Sequence, residues 1–452
     1  MNIIKEEAGE AKGILRRIKR RDFKGNSGQV IKNSSYQITT TIIAKGGSLL
    51  FTMILARILL PELFGFYSLA LSTLIILSMF SDLGLSNSIV NFISKSLAKK
   101  DYKRAKSYFS YVMRIKLILL LVTFVVILSI AYFISFNFYD KPIFLALLVG
   151  SFYIVFSSLT DYLRSVLTAS NNFKPILIKE TFFQILRVIL VPAISIILIK
   201  YAVGPNKILM AIFIALSLLH LIGLIYIAKS VGSTKQYSKE KTIKLSIKEK
   251  TNFKKFALPL SAMVLSGFFF NYVDILMLGH FVLGEFIAFY SVAISLAGSF
   301  WSILAFASIA SYPVFSKLKG KRLNRGFRRT RNITVLLSAL AAIFLFLFAG
   351  IIVQIIYGSD YLPAINILKM FSILILIEPL TSLYTVYYMS VEKTRRLAII
   401  LIFTSILNIV LNYFFITSGL SIGMMQAVLG AAIATIISRS AHVLLLGVFR
   451  KR

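Results

Sequence analysis

The chain has 452 residues, of which 58% are hydrophobic, and its mean hydropathy is +0.82. Soluble domains are about 45–50% apolar, so this composition excludes an ordinary soluble protein and indicates an integral membrane protein. The absence of cysteine excludes disulfides, thiolate metal sites and a cysteine nucleophile. The three histidines are scattered, so we expect no metal site, and no motif calls for a cofactor.

Residues 1–33 form a basic stretch that we interpret as a cytoplasmic arm. It lacks the short apolar core and small-residue cleavage site of a signal peptide, so the first spanning helix itself is expected to enter the membrane. Twelve apolar segments follow, each long enough to cross the hydrocarbon core, which takes about 20 helical residues. The predicted spans are 34–60, 66–94, 107–137, 143–169, 176–200, 207–228, 256–281, 287–316, 333–356, 363–390, 397–417 and 425–449.

The net charge of +34 is distributed unevenly between the two sides of these spans. With the N-terminus inside, the inner segments hold 39 Lys and Arg residues and the outer loops hold 3. Cytoplasmic loops of membrane proteins carry such an excess, so both termini are predicted to lie in the cytoplasm. The membrane itself is expected to be the plasma (inner) membrane. The basic residues are then expected to contact anionic membrane lipids, and no nucleic-acid partner is expected.

An internal repeat divides the chain into two halves. Residues 55–72, LARILLPELFGFYSLALS, align without a gap with residues 278–295, LGHFVLGEFIAFYSVAIS, at an offset of 223 residues. Similarity at half the chain length indicates two related lobes, and six spans per lobe make the repeat parallel. We therefore predict lobes at 34–228 and 256–452, joined by a basic cytoplasmic linker at 229–255.

The first span carries a polar stripe on one helical face. Its members recur at steps of three or four residues: Asn33, Gln37, Thr41, Lys45, Ser48 and Thr52. Such a stripe indicates either a water-filled cavity or polar packing between helices. Lys45 favours the cavity because a charge at this depth is costly without water or a partner.

Further polar residues within the spans complete the candidate cavity set. Asp82 is placed for an ion pair with Lys45, either at the site or as a structural salt bridge. Arg57 near the outer surface is interpreted as an anchor or gate. The other predicted cavity residues are Asn271, Asp274, Arg164, Arg187 and Arg439.

Two acids are candidates for ion coupling. Glu378 precedes Pro379, which kinks its helix, and no cation lies within one helical turn along the sequence. Asp274 is the second candidate. Enzymatic chemistry is not expected, because the outer loops are short, their acids stand alone, and no phosphate-binding loop of the GxxxxGK[ST] type occurs.

The stretch 55–95, with Leu-Ala-Arg, a Pro-Glu-x-x-Gly-x-Tyr turn and an Asp-x-Gly, resembles the Wzx-type oligosaccharide-lipid flippases, or polysaccharide transporters. The segment NYVDILMLGHFVLGEFIAFYSVA is a matching signature in the second half, although Ala288 replaces the turn glycine Gly65. The resemblance implies the multidrug/oligosaccharidyl-lipid/polysaccharide exporter superfamily. It implies an all-α fold of two six-helix bundles around a central cavity that opens to either side in turn.

The resemblance also implies a function, the flipping of a polyprenyl- or dolichyl-diphosphate oligosaccharide for surface polysaccharide or glycan assembly. The implied partners are this substrate, membrane lipids, H⁺ or Na⁺ as a coupling ion, and proteins of glycan assembly. A multidrug or metabolite exporter of the same fold is the alternative, and deep cations as numerous as deep acids favour the anionic substrate. A lipid II flippase and a glycan-synthesis enzyme or scaffold are further alternatives.

The predicted topology is testable by cysteine labelling, since the chain has no native cysteine. A cysteine replacing Glu240 in the linker is expected to react with a membrane-impermeant reagent only after the cells are permeabilised. Labelling of this position in sealed cells would overturn the assignment of the linker to the cytoplasm.

Overall fold

A computed structural model describes residues 25–233, 240–311, 315–316 and 318–451, so most of the arm at 1–33 lies outside the described residues. The described residues are almost entirely helical and contain no strand. The helices are α1 Gly25–Ser78, α2 Leu85–Ala98, α3 Tyr102–Tyr132, α4 Phe144–Ala169, α5 Lys174–Lys200, α6 Pro205–Gly232, α7 Ile247–Phe281, α8 Gly284–Ala310, α9 Gly320–Tyr357, α10 Ala364–Ser390, α11 Thr394–Leu420 and α12 Met424–Lys451.

Helix α1 supplies two membrane spans because it breaks at its centre. Leu60 has φ 58° and ψ 170°, outside helical geometry, and Pro61 follows it. Proline has no N–H to donate and so cannot continue the hydrogen-bond ladder. Eleven helices among the described residues are long and apolar enough to cross a membrane, and the 50-residue first one divides at this break. The prediction of about twelve spans is therefore confirmed.

The second span was predicted as one continuous helix over 66–94, and the structure interrupts it. Helix α1 ends at Ser78, a 3₁₀ turn covers Met79–Ser81, and α2 begins at Leu85. Gly84 has φ 71°, where a side chain would be strained, and a Cβ there would lie 3.0 Å from the backbone nitrogen of Ser261. The Ser261 hydroxyl donates to the Leu83 carbonyl at 2.5 Å. The interruption therefore docks directly on α7.

The helices form two six-helix bundles, and we use inner and outer for the sides assigned by the positive-inside pattern. In the first lobe α4 packs on α6, and α1 on α5; in the second, α11 packs on α12 and α7, and α8 and α9 on α10. Across the lobes α1 packs on α8 and α7. The apolar core continues across this boundary, from Leu55 and Tyr67 to Leu278 and Tyr290.

The described part of the linker lies against the first lobe. Helix α6 continues to Gly232, and α7 begins at Ile247 behind a capping box of Ser246 and Glu249. Between them, the Ile243 amide donates to the Ser107 hydroxyl of α3 at 2.8 Å. The linker is therefore fastened to α3 before the chain enters the second lobe.

At the outer side the two halves of the repeat meet. A Cβ added to Gly65 would lie 1.8 Å from the carbonyl oxygen of Gly284. Nearby, the Tyr361 hydroxyl donates to the Ala56 carbonyl at 2.8 Å. The glycine of the first turn thus permits backbone contact between the lobes, and the structure holds them together on this side.

This contact predicts a specific effect of Gly65→Ala. The added methyl must push the lobes apart, and we expect a loss of about 1–3 kcal/mol of stability in this closed state. Gly46→Ala is the matched control, because no atom lies within 4 Å of a Cβ at that position of the same helix. Thermal unfolding midpoints of the purified variants should fall for Gly65→Ala and not for Gly46→Ala. Equal midpoints would mean that the close approach is unimportant for the closed state.

Candidate functional site

A cavity of about 640 Å³ lies between the lobes, where α1 faces α7 and α8. Lys45 and Ser48 line it from the first lobe and Asn271 lines it from the second, so three of the predicted cavity residues line the same cavity. None of its lining residues is acidic. The lining also includes Gly267, Phe268, Tyr272, Ser295, Ser299, Trp301 and Ser302.

Lys45 is exposed in this cavity and forms no hydrogen bond or salt bridge with any described residue. The rest of the wall offers hydroxyl and amide groups among apolar and aromatic surfaces. Such a wall presents one mobile positive charge and several hydrogen-bonding groups to whatever enters. It can therefore offset the negative charge of an anionic group that leaves water.

Arg439 stands directly behind this wall. Its guanidinium is 5% exposed and pairs with Glu378 at 2.6 Å from Nη1 to Oε1. Nη2 donates to Asn271 Oδ1 at 3.2 Å, and the guanidinium carbon lies 5.8 Å from the Trp301 ring centroid. Arg439 thus contacts two residues that line the cavity, Asn271 and Trp301, and its counter-ion Glu378 lies on α10.

The pairing of Glu378 with Arg439 contradicts the reason for choosing Glu378 as an ion-coupling residue, which was the lack of a nearby cation. The sequence offered no cation within one turn of α10, but α12 brings Arg439 against the carboxylate. A carboxylate with a permanent cationic partner has its charge already compensated, which removes the reason for choosing it as the coupling group.

Asp274 lies at the centre of a polar network inside the second lobe and is 2% exposed. Its Oδ2 accepts from the Tyr290 and Thr435 hydroxyls at 2.7 Å each, and its Oδ1 accepts from the Asn412 amide at 2.6 Å. The amide oxygens of Asn412 and Asn408 are buried and accept no hydrogen bond from the described residues. Asp274 therefore does not line the cavity; it has neutral donors and forms no salt bridge with a described residue.

The predicted ion pair between Asp82 and Lys45 is wrong. Asp82 lies at the interruption of the second span and pairs with Lys116 of α3 at 2.7 Å. Lys116 is fully buried, although it lies near the inner end of the predicted span 107–137. Ser86 Oγ also donates to Asp82. This pair leaves Lys45 without a counter-ion and fastens α3 to the interruption.

Arg57 lies at the outer contact between the lobes, as expected for an anchor or gate. Its guanidinium donates to the carbonyl of Ile355 at the outer end of α9. His280, its counterpart in the repeat, contacts the carbonyl of Phe138 at 2.6 Å, beyond the outer end of α3. Each residue thus fastens its own lobe to the third span of the other.

The two remaining predicted cations do not line this cavity. Arg187 lies inside the first lobe with its guanidinium carbon 4.1 Å from the centroid of Phe51, and its Nε is buried without a partner among the described atoms. Arg164 is exposed on α4 and forms no salt bridge with Asp161 within 4.0 Å. The two are therefore separate from the wall that contains Lys45.

Sequence reasoning missed part of the cavity and most of the Asp274 network. Ser295, Ser299 and Ser302 recur at i, i+4 and i+7 on α8, the same spacing that identified the stripe of the first span. Asn408 and Asn412 are likewise an i, i+4 pair of amides in an apolar helix. Polar periodicity was therefore present in both places but was not recognised there.

Comparison with known proteins identifies the family and the fold. The family model described as polysaccharide biosynthesis protein matches residues 30–319, and a second model, described as MatE, matches residues 259–414. A comparison with curated protein sequences gives no match.

Three solved structures share the fold at low sequence identity. The lipid II flippase MurJ, in an inward closed conformation, has a TM-score of 0.67 at 20% identity, covering 93% of this chain and 88% of that one. An inward-facing multidrug resistance MATE family transporter of the MOP superfamily has a TM-score of 0.66 at 15% identity, with coverages of 92% and 99%. A eukaryotic MATE transporter has a TM-score of 0.59 at 13% identity, with coverages of 97% and 96%. With the first family model matching more than half of the chain, the protein belongs to the polysaccharide biosynthesis protein family and has the fold of the multidrug/oligosaccharidyl-lipid/polysaccharide exporter superfamily.

Proposed function

We propose that this protein is a flippase that moves a lipid-linked oligosaccharide, carried on a polyprenyl or dolichyl diphosphate, from the inner to the outer leaflet. The movement occurs by alternating access of the two lobes, 34–228 and 256–452, in the plasma membrane, with the arm 1–33, the linker 229–255 and both termini in the cytoplasm. Family membership supports a role in polysaccharide assembly.

The observation that carries the proposal is Lys45, which pairs with none of the described residues and lies in a cavity whose described lining contains no acid. A diphosphate must leave water to cross the hydrocarbon core, and the cost of removing its charge from water is large unless a cation replaces the hydration. Lys45 supplies that cation directly, and Arg439, whose own charge is paired with Glu378, holds the side chain of Asn271 in the wall. The serine hydroxyls of α8 offer hydrogen bonds of low specificity to sugars.

The composition of the wall also separates this function from the alternatives. An exporter of cationic drugs would need acids in the cavity, and none of the lining residues is acidic. Lipid II shares the lipid-linked diphosphate and differs in its sugars, so the likeness to a lipid II flippase keeps that substrate as the second candidate. An enzyme or scaffold for glycan synthesis is disfavoured by the short outer loops, whose acids stand alone in the sequence.

Ion coupling is placed at Asp274 in this proposal. A buried carboxylate surrounded by neutral donors is costly unless its charge is compensated, and an exchangeable H⁺ or Na⁺ can provide the compensation. The side chain of Asn412 donates to Asp274, and its amide oxygen, buried without a donor among the described residues, is a suitable ligand for Na⁺. Glu378 instead holds Arg439 in position.

Lys45→Ala is expected to reduce flipping by about 10- to 100-fold, the effect of losing one strong charge-assisted contact. Lys45→Arg keeps the positive charge and should retain most of the activity. The assay follows a fluorescent polyprenyl-diphosphate oligosaccharide in reconstituted vesicles, with lipid II run in parallel to compare sugars. Full activity of Lys45→Ala at normal protein level would show that Lys45 does not bind the substrate. The main support for a diphosphate substrate would then be lost.

Asp274→Asn should abolish the dependence of flipping on an imposed pH or sodium gradient, because the neutral amide needs no compensating cation. Glu378→Gln should keep that dependence while lowering thermal stability, because it leaves the Arg439 charge buried without its partner. Both variants are measured in the same vesicles, with rates divided by the amount of reconstituted protein. The reverse pattern would assign coupling to Glu378.

A further inference from the structure

A second polar pocket lies away from the central cavity, at the inner ends of α9, α10 and α12. It has a volume of about 370 Å³. Three helices converge on it, and its lining residues are Asn324, Arg328, Arg331, Tyr387 and Arg450. Three of these five residues are arginines, and none is acidic.

Arg450 is held in a fixed position at the base of this pocket. Its guanidinium carbon lies 3.7 Å from the ring centroid of Phe327 and 4.6 Å from that of Tyr387. Nη2 donates to Asn324 Oδ1 at 2.7 Å. Its Nε is buried without a partner among the described atoms. The guanidinium is thus oriented by aromatic packing and one amide, before any ligand arrives.

The positive charge of this pocket is not neutralised by the protein. Arg328, Arg331 and Arg450 form no salt bridge with any residue in the described part of the chain, although Arg331 donates to the side chain of Asn332 at 3.1 Å. Between residues 286 and 452 the sequence contains three acids. Asp360 lies at the opposite end of α9, Glu378 is paired with Arg439, and Glu392 lies in the turn after α10. Like charges gathered without a counter-ion repel, so an anion from outside the chain would stabilise the pocket.

The surroundings of the pocket indicate what carries that anion. Guanidinium groups match the geometry of phosphate oxygens and bind them with paired hydrogen bonds. From the pocket, α9 continues towards the outer side with Val335 and Phe346 exposed, at 37% and 50%, and the helical period places both on the face of Arg328 and Arg331. A phosphate held by the arginines therefore sits at the head of a surface that faces acyl chains.

We propose that this pocket binds the phosphate headgroup of an anionic phospholipid from the leaflet at that end of the bundle. The lipid serves as the counter-ion that the protein does not supply, and its acyl chains lie along α9. Because the arginines come from both α9 and α12, the bound phosphate joins the ends of these helices. This inference is independent of the flippase proposal, since the pocket does not share a residue with the central cavity.

The experiment measures lipid-dependent stability of the purified full-length protein in detergent. Phosphatidylglycerol is expected to raise the thermal unfolding midpoint, and phosphatidylcholine with the same acyl chains should not. Arg328→Gln combined with Arg331→Gln should weaken the apparent affinity for phosphatidylglycerol at least about tenfold, because two charge-assisted contacts are lost. Native mass spectrometry of the same samples should show fewer retained phosphatidylglycerol molecules on this double variant.

The matched control is Arg325→Gln combined with Arg329→Gln, which removes the same charge from exposed positions of α9 outside the pocket. It should respond to phosphatidylglycerol as the unchanged protein does. An equal loss in this control would show that surface charge in general, and not the pocket, attracts the lipid. Soluble glycerol phosphate is added in a separate series. A midpoint increase with glycerol phosphate that equals the increase with phosphatidylglycerol would assign the pocket to a free phosphate compound and overturn the lipid proposal.

Discussion

A charge placed in the hydrocarbon core must find its counter-ion or water inside the protein, and this constraint decides where the helices of this protein meet. The pair of Asp82 and Lys116 joins α3 to the interruption of the second span. The pair of Glu378 and Arg439 joins α10 to α12 in the same way. Lys45 lacks such a partner among the described residues and faces the cavity instead. The candidate site is thus a place where a charged side chain, Lys45, has no counter-ion among the described residues.

The internal repeat allows equivalent positions of the two lobes to be compared, and it shows where their residues differ. At the offset of 223 residues, Lys45, Ser48 and Leu49 correspond to Phe268, Asn271 and Tyr272, and all six line the cavity. At the same offset Phe51 aligns with Asp274, and Tyr67 aligns with Tyr290. In the first lobe the pair is aromatic, with ring centroids 6.4 Å apart; in the second it is a hydrogen bond of 2.7 Å. One backbone arrangement therefore supports an aromatic pair beside the guanidinium of Arg187 in one lobe and a buried acid in the other.

The length and apolar composition of the segments were sufficient to predict the number of spans, and periodicity along the first helix predicted its polar face. It could not predict partners on different helices, because those depend on how the bundle packs. Lys116 lies near the inner end of its predicted span, where a lysine can reach the surface, yet packing buries it against Asp82. Glu378 was judged to have no cation because Arg439 is 61 residues away in the chain. The prediction of one continuous helix over 66–94 gave no weight to Ser81, Asp82 and Gly84, which favour a turn and mark the interruption in the sequence.

The contacts of α7 with α12 give a physical route from Asp274 to the cavity wall. Asn271 and Asp274 are three residues apart on α7, and Thr435 and Arg439 are four residues apart on α12, so each pair lies on one helical face. Thr435 donates to Asp274, and Arg439 donates to Asn271, which lines the cavity. A cation that binds Asp274 must compete with the hydroxyl of Thr435 for the carboxylate. In the function proposed above, a shift of α12 on cation binding would move Arg439 relative to Asn271 and so reorient this residue of the wall. In the proposed flippase, ion binding and substrate binding are thereby connected through one helix pair, without a long chain of intermediate contacts.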